Sequence, residues 1–177
     1  MSEAAWDGKP IRIGVLADTH CNGNDDPEPI RRLLTGPFAG IRMILHAGDL
    51  VDYDWLTQIA MPDIELLAVA GNCDEPGDPR LPAKRIVEFG GFRVGLMHGW
   101  GAPAGITQRL AGAFEGEAVA AVVFGHTHQP FLATESGITY FNPGSPTEPR
   151  LATAGVGLLT VTPGRLRWQH IQQKPWW

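Results

Sequence analysis

Cysteine is scarce in this sequence: there are two in 177 residues, Cys21 and Cys73, in separate segments. Small secreted domains need a framework of several pairs, so this is not a disulfide-stapled chain, and a reducing, cytoplasmic setting suits it. A long apolar run is missing as well. The longest, such as 118–125, fall far short of the ~20 residues a spanning helix requires, so no membrane role is expected. Met1 to Pro10 carries Glu3, Asp7 and Lys9 where a signal peptide would have a basic stretch followed by an apolar one, and it does not read as a signal peptide. Nor is there an excess of cations. Lys and Arg number 14 against 19 Asp and Glu, a net charge of −5, which argues against coating long nucleic acid, because that binding depends on clustered cations that release counterions. Repeats, linkers and charge runs are absent too, so residues 1–177 read as one domain.

The 44% hydrophobic and 19% charged residues are those of a soluble globular protein. A chain this long buries roughly 70% of its unfolded surface, so any metal it holds serves chemistry and not stability. With 22 Gly and 15 Pro, many strands joined by tight loops are expected. Ile11 to Ala17 is a branched apolar run that stops at Asp18, as a buried strand entering a loop does. The same pattern recurs at Arg42 to Ala47 before Gly48-Asp49, Ile64 to Ala70 before Gly71-Asn72, Phe92 to Met97 before His98-Gly99, and Ala120 to Phe124 before Gly125-His126. Helices fit Glu28 to Leu34, Asp54 to Ala60 and about Gly105 to Phe114, with Asp52 or Asp54 as an N-cap of the second. Hairpins are signalled where Gly90-Gly91 joins Ile86–Phe89 to Phe92–Leu96, and where Pro163-Gly164 joins Leu158–Val161 to Leu166–Ile171. A further strand fits Ile138 to Phe141. A parallel front half and an antiparallel back half suggest two packed sheets with helices outside.

Four of the six histidines, His20, His98, His126 and His128, fall within a few residues of a strand end. Asp18, Asp49 and Asn72 lie at the same ends, and in open α/β sheets that edge is where ligands bind. Seven N and O donors without a thiolate suit divalent Mn, Fe, Ni, Co or Zn better than Mg or Ca. They are too many for one ion, but they divide into two sites of four if one carboxylate is shared. Asp18-Thr19-His20 and His126-Thr127-His128 are spaced i, i+2, which in extended chain puts both side chains on one side.

Asp18-Thr19-His20, Gly48-Asp49-Leu50-Val51-Asp52, Gly71-Asn72-Cys73-Asp74, His98-Gly99 and Gly125-His126-Thr127-His128, in that order, resemble the five motifs of calcineurin-like metallophosphoesterases. The resemblance covers about residues 11 to 145. The short length, Gly-Asn-Cys-Asp and Asn142-Pro143-Gly144-Ser145 are similar to the small single-domain prokaryotic phosphodiesterase branch. The resemblance implies an α/β fold, a four-layer α/β/β/α sandwich of two mixed sheets flanked by helices. It also implies that Asp18, His20, Asp49 and His128 hold one metal and that Asp49, Asn72, His98 and His126 hold the other, with Asp49 bridging. Two divalent ions, two carboxylates and one bridging hydroxide then leave about +1 to attract a phosphate monoanion. The expected activity is binuclear phosphodiester hydrolysis of a small phosphoester by attack of that hydroxide, with Mn favoured over Ni, Fe or Zn. Asp49, Asn72, Cys73 and His98 are the residues expected around the reacting group. Cys73 departs from the wider superfamily, where many members have His beside the Asn. A thiol is a weak hydrogen-bonding substitute for imidazolium, so good leaving groups should be preferred.

Blander readings stand beside these. His46, inside an apolar run, reads as a core or supporting histidine, and His170 as a surface strand residue. Asp52 and Asp74 either orient the ligands or cap loops. Cys21 reads as a small buried residue more than as a redox partner of Cys73, and Asn142 to Ser145 as a turn supporting the metal edge. Arg80, Lys84 and Arg85 read as a solvated basic face. Substrate selection is expected from Asn22–Pro29, Glu75–Lys84 and Trp100–Gly105. The terminal Trp176-Trp177 is expected to fold back on the surface, and it leaves a homodimer open. Two other functions remain: a phosphomonoesterase of nucleotides or small metabolites, and a protein-interaction scaffold, a use this fold has in a retromer subunit.

Overall fold

Successive side chains of a strand leave opposite faces, so a strand that is apolar on both must be covered on both. The computed structural model describes residues 9–150 and 152–176. The elements run β1 (Ile11–Leu16), α1 (Glu28–Thr35), β2 (Met43–His46), a π-helix (Trp55–Ala60), β3 (Glu65–Ala68), β4 (Lys84–Phe89) and β5 (Phe92–Met97). They continue with α2 (Ile106–Ala113), β6 (Ala121–Val123), β7 (Phe131–Glu135), β8 (Ile138–Asn142), β9 (Gly155–Thr162) and β10 (Arg165–Gln172). One five-stranded sheet has the order β10-β9-β1-β2-β3 and the other β4-β5-β6-β8-β7.

Three apolar clusters hold the layers together. Ile13 and Val15 of β1 meet Val94, Leu96 and Val123 between the sheets. On its other face β1 contributes Leu16 to a cluster with Ile30, Leu33, Trp55 and Leu56 of the helices. On the outside of the second sheet, Val122 and Tyr140 pack against Ile106 and Leu110 of α2. This is the helix, sheet, sheet, helix layering that the resemblance implies. No helix among the described residues is long and apolar enough to cross a membrane.

Both hairpins form where expected. Gly90 and Gly91 have φ of 55° and 83°, the pair of positive values a type I′ turn needs, and β4 pairs antiparallel with β5. Pro163 precedes Gly164 at φ 69°, and β9 pairs antiparallel with β10. The division into a parallel front and an antiparallel back needs correction. The β9–β10 hairpin joins the front sheet against β1, while β5, β6 and β8 run parallel within the back half. Hairpin signals name only chain neighbours, and parallel partners are chosen by packing far along the sequence. The helix expected over 54–60 is a π-helix, and β7, an edge strand with three exposed residues in five, carries too little alternation to be read as a strand. His170 is exposed on β10, with its ring stacked at 4.6 Å on Phe141 and its Nε2 donating to the Asn142 carbonyl. Trp176 folds back half-buried on the helix-side cluster, its backbone N–H donating to the Pro146 carbonyl at 3.0 Å. Trp177 and the segment 1–8 lie outside the described residues.

Close layering relies on two glycines. A Cβ on Gly14 would lie 2.8 Å from Phe38 and 2.9 Å from Ile41 and Ile44, and one on Gly95 would lie 2.7 Å from the Phe114 ring. Gly14→Ala is therefore expected to lower stability in urea unfolding by about 1–3 kcal/mol. Gly112→Ala, in α2 with nothing within 4 Å of the added methyl, is expected to raise it by ~0.4–1 kcal/mol.

Candidate metal centre

The strands deliver their last residues to one edge, and hydrogen bonds between the loops hold them there. Asp18 N–H donates to the Gly48 carbonyl at 3.0 Å, His20 N–H to that of Asp49 at 3.0 Å, and Gly125 N–H to that of His98 at 3.0 Å. Asp18 Oδ1 accepts from His126 N–H at 3.0 Å, and the Asp18 carbonyl accepts from Ser145 Oγ at 2.8 Å and Thr147 Oγ1 at 3.2 Å. Asp74 accepts three backbone N–H groups, those of Asp49 (2.8 Å), Val51 (2.8 Å) and Gly71 (2.7 Å). A side chain at Gly71 would collide with Asp49, so glycine is required there.

These bonds hold a strained backbone. Nine non-glycine residues among those described have positive φ, and five are expected ligands: Asp18 (51°), His20 (46°), Asp49 (56°), His126 (68°) and His128 (59°). Each such residue costs on the order of 1–2 kcal/mol, though Asp and His tolerate the region better than most. Backbone strain of this kind gathers where a site is held in place by its surroundings.

Carbonyl partners set the tautomers, since a carbonyl can only accept. His98 Nδ1 donates to Ala47 at 2.7 Å, His126 Nε2 to Gly101 at 2.9 Å and His128 Nδ1 to Glu148 at 2.7 Å. The opposite ring nitrogens then turn lone pairs inward. His128 Nε2 is 3.7 Å from Asp18 Oδ1 and His20 Nε2 is 3.8 Å from Asp49 Oδ2. One donor atom from each of Asp18, His20, Asp49 and His128 falls in a group whose members all lie within 4.8 Å of one another. On the other side of Asp49, His98 Nε2 is 3.5 Å from its Oδ2 and 3.2 Å from Asn72 Oδ1, which is 3.1 Å from His126 Nδ1. The imidazoles thus form two pairs, His20 with His128 and His98 with His126, at 5.2 and 5.3 Å between ring centres.

With the Asn72 amide so oriented, acceptors converge in both halves with no donor between them. Asp18 Oδ2 and His20 Nε2 are buried with no hydrogen-bond partner among the described residues. A cation fits this arrangement, and the mixed imidazole and carboxylate donors suit a borderline divalent metal. Burial pushes the Asp18 carboxyl well above its usual range in the cation-free chain. Burial also holds His98 and His128 below the ordinary imidazole value, which keeps their lone pairs available at neutral pH.

The remaining candidates separate. Asp52 Oδ1 accepts from Trp55 N–H at 2.8 Å and so caps the π-helix, whereas Asp74 braces the backbone of Asp49 itself. Cys73 is exposed at the rim, where its N–H donates to Asp49 Oδ1 at 2.8 Å and its sulfur accepts from the Asn72 amide at 3.2 Å. Cys21 is buried, its thiol donating to the Thr19 carbonyl, and neither cysteine is paired. His46 is wholly buried and bonded through Nε2 to Thr19 Oγ1 at 3.0 Å, a support for the Asp18–His20 turn. Asn142 holds the Gly125 carbonyl and Thr127. The basic cluster is engaged locally: Arg80 with Asp54 and Asp78, Lys84 with Glu117, and Arg85 with backbone carbonyls. Arg150, which no motif marks in the sequence, is an exposed cation close enough to favour the charged form of Asp18 and oppose protonation of His128. Its one signal was its place just beyond the Asn142–Ser145 turn.

A family model, the calcineurin-like phosphoesterase superfamily domain, matches residues 11–164. The chain is 39% identical over 152 residues to a probable metallophosphoesterase of Methanothermobacter thermautotrophicus, covering 84% of this chain and 85% of the relative. An archaeal phosphodiesterase structure matches with a TM-score of 0.69 at 19% identity over 91% of this chain and all of its own. Vps29 of Entamoeba histolytica, solved with zinc, matches at 0.67 and 24% identity over 92% of this chain and 99% of its own. At these identities the two structures speak for the fold alone.

Burial lowers the His46 pKa to about 3, with His98 and His20 adding to the shift. In the unfolded chain it titrates near 6.5. Between those values the unfolded chain binds the extra proton, so the contribution of His46 to the stability of metal-stripped protein falls as pH drops from about 6.5 towards 3. His46→Gln removes that contribution and leaves the opposing one from Asp18 in place. Urea unfolding of chelator-treated wild type and His46→Gln at pH 7 and pH 5 is expected to show the larger loss in wild type.

Proposed function

This chain belongs to the calcineurin-like phosphoesterase superfamily, and from that premise we propose that it is a metal-dependent phosphodiesterase acting on a small phosphoester in the cytoplasm with two divalent transition-metal ions. The observation that carries the reading is the position of Asp49 Oδ2, 3.8 Å from His20 Nε2 and 3.5 Å from His98 Nε2, between two sets of inward lone pairs. Asp18, His20, Asp49 and His128 would hold one ion, and Asp49, Asn72, His98 and His126 the other. Mn is favoured, with Ni, Fe or Zn as alternatives. Bound there, the ions supply Lewis-acid neutralisation of phosphoryl charge and acidify water.

The chain's own groups do the rest. Backbone bonds from His126 to Asp18 and from Cys73 to Asp49 occupy one oxygen of each carboxylate, which leaves Asp49 Oδ2 facing His20 and His98. The carbonyls of Ala47, Gly101 and Glu148 keep His98, His126 and His128 in the ligating tautomer. Arg150 adds positive charge on the Asp18 and His128 side, which draws in a phosphate anion. Cys73 stands at the exposed rim with its sulfur against the Asn72 amide, and a thiol is a weak hydrogen-bonding partner for a departing oxygen. Diesters with good leaving groups suit such a site best.

Chelator-stripped protein incubated with Mn, Ni or Zn is expected to hydrolyse bis-p-nitrophenyl phosphate faster than p-nitrophenyl phosphate, and Asp49→Asn is expected to lower kcat/KM by about a hundredfold or more. The reverse preference would mark a phosphomonoesterase. Absence of turnover with all three metals would favour a protein-interaction scaffold, a reading prompted by the Vps29 likeness. Cys73→His is expected to raise turnover of alkyl diesters at least about tenfold, a part of the full effect of general acid catalysis. A leaving-group dependence that Cys73→His does not alter would remove Cys73 from the account.

A further inference from the structure

A cavity of about 380 Å³ opens beside the second half of the candidate centre. Asn72, His98 and His126 form one wall, and Trp100, Met97 and Ala70 lie among the residues facing it. No carboxylate, lysine or arginine is among the residues that line it. Its size is that of a small-ligand site, and its mostly apolar lining with polar groups gathered at one wall has the same character.

Trp100 is 44% exposed, one of the few large apolar residues so placed among those described. Its loop is not slack. Gly99 and Gly101 flank it at φ of 95° and 77°, which lets the chain turn sharply on both sides of the indole. Arg109, from α2, donates through Nε to the Trp100 carbonyl at 2.9 Å, through Nη1 to that of Ala104 at 3.1 Å and through Nη2 to that of Ala102. His126 Nε2 donates to the Gly101 carbonyl at 2.9 Å, so the loop and an expected ligand brace one another. An exposed aromatic on a braced loop binds without the cost of ordering that loop.

We propose that Trp100 is the platform on which a planar, uncharged ester group of the substrate stacks, an aryl ring or a nucleobase, while the phosphoryl group meets the Asn72, His98 and His126 wall. The inference rests on the phosphodiesterase reading and names its substrate class: phosphodiesters with one ester group that carries a flat ring, either directly on the ester oxygen or through a sugar. Met97 and Ala70 offer that ring further apolar surface, and the indole supplies the face against which any aromatic or base can lie.

The test is calorimetric titration of the manganese-loaded full chain with diphenyl phosphate, dimethyl phosphate and adenosine 3′,5′-cyclic phosphate. Wild type is expected to bind at least one ring-bearing diester about tenfold more tightly than dimethyl phosphate. Which of the two it prefers tells an aryl ring from a nucleobase. In Trp100→Ala that ratio is expected to fall to within about threefold, and Trp100→Phe should restore most of it. Thermal melting checks that the variants fold, and Trp100→Phe against Trp100→Leu carries the test should the alanine variant not fold. A wild type that does not distinguish the three ligands, or a ratio that survives Trp100→Ala, overturns the proposal. Failure of the phosphodiesterase reading shows separately, as absent turnover of bis-p-nitrophenyl phosphate, and the binding ratios still decide the role of Trp100.

Discussion

The hydrogen bond from His98 Nδ1 to the Ala47 carbonyl, 2.7 Å long, crosses from the second sheet to the first at the edge where the acidic and imidazole side chains meet. It satisfies a buried carbonyl, fixes which ring nitrogen keeps its lone pair, and sets the distance between the loops after β2 and β5. The neighbouring bond from His126 N–H to Asp18 Oδ1 ties the loops after β6 and β1 in the same way. Two sheets that packed through apolar contacts alone could slide by an ångström. With these bonds between their edges, Asp49 Oδ2 sits 3.8 Å from His20 Nε2 and 3.5 Å from His98 Nε2.

Holding the donors in place carries a conformational cost. Asp18, His20, Asp49, His126 and His128 all adopt backbone conformations that L residues avoid, and none has the freedom of glycine. What offsets this is a surrounding layer of side chains that bind the backbone. Asp74 gathers three N–H groups from the loops after β2 and β3, and Ser145 and Thr147 hold the Asp18 carbonyl from the loop after β8. The glycines beside the donors serve the same end, because at Gly71 the backbone of one loop lies against the carboxylate of another. The strain and its restraint form one arrangement: loops free to relax would turn the side chains away from each other.

Beside the centre the chemistry changes within a few ångströms, from buried lone pairs to an apolar cavity with an indole at its edge. The same histidine, His126, belongs to both, facing Asn72 with one nitrogen and bracing the Trp100 loop with the other. The candidate metal centre and the Trp100 loop are thereby coupled through a single ring.

The sequence alone determined the buried strands, both hairpin turns and the seven donors at strand ends, because apolar runs, paired turn residues and short spacings such as Asp18-Thr19-His20 are local properties. Its order of motifs also pointed to the family. Tertiary structure alone decided which strands share a sheet, and it moved the β9–β10 hairpin onto the front sheet beside β1. It also decided the tautomers, the split between Asp74 as a brace and Asp52 as a cap, the local engagement of Arg80, Lys84 and Arg85, and the place of Arg150 and Trp100. Each of these depends on partners far apart along the chain, as His126 is from Asp18 by 108 positions, and a pattern of neighbours carries no information about which distant atoms will meet.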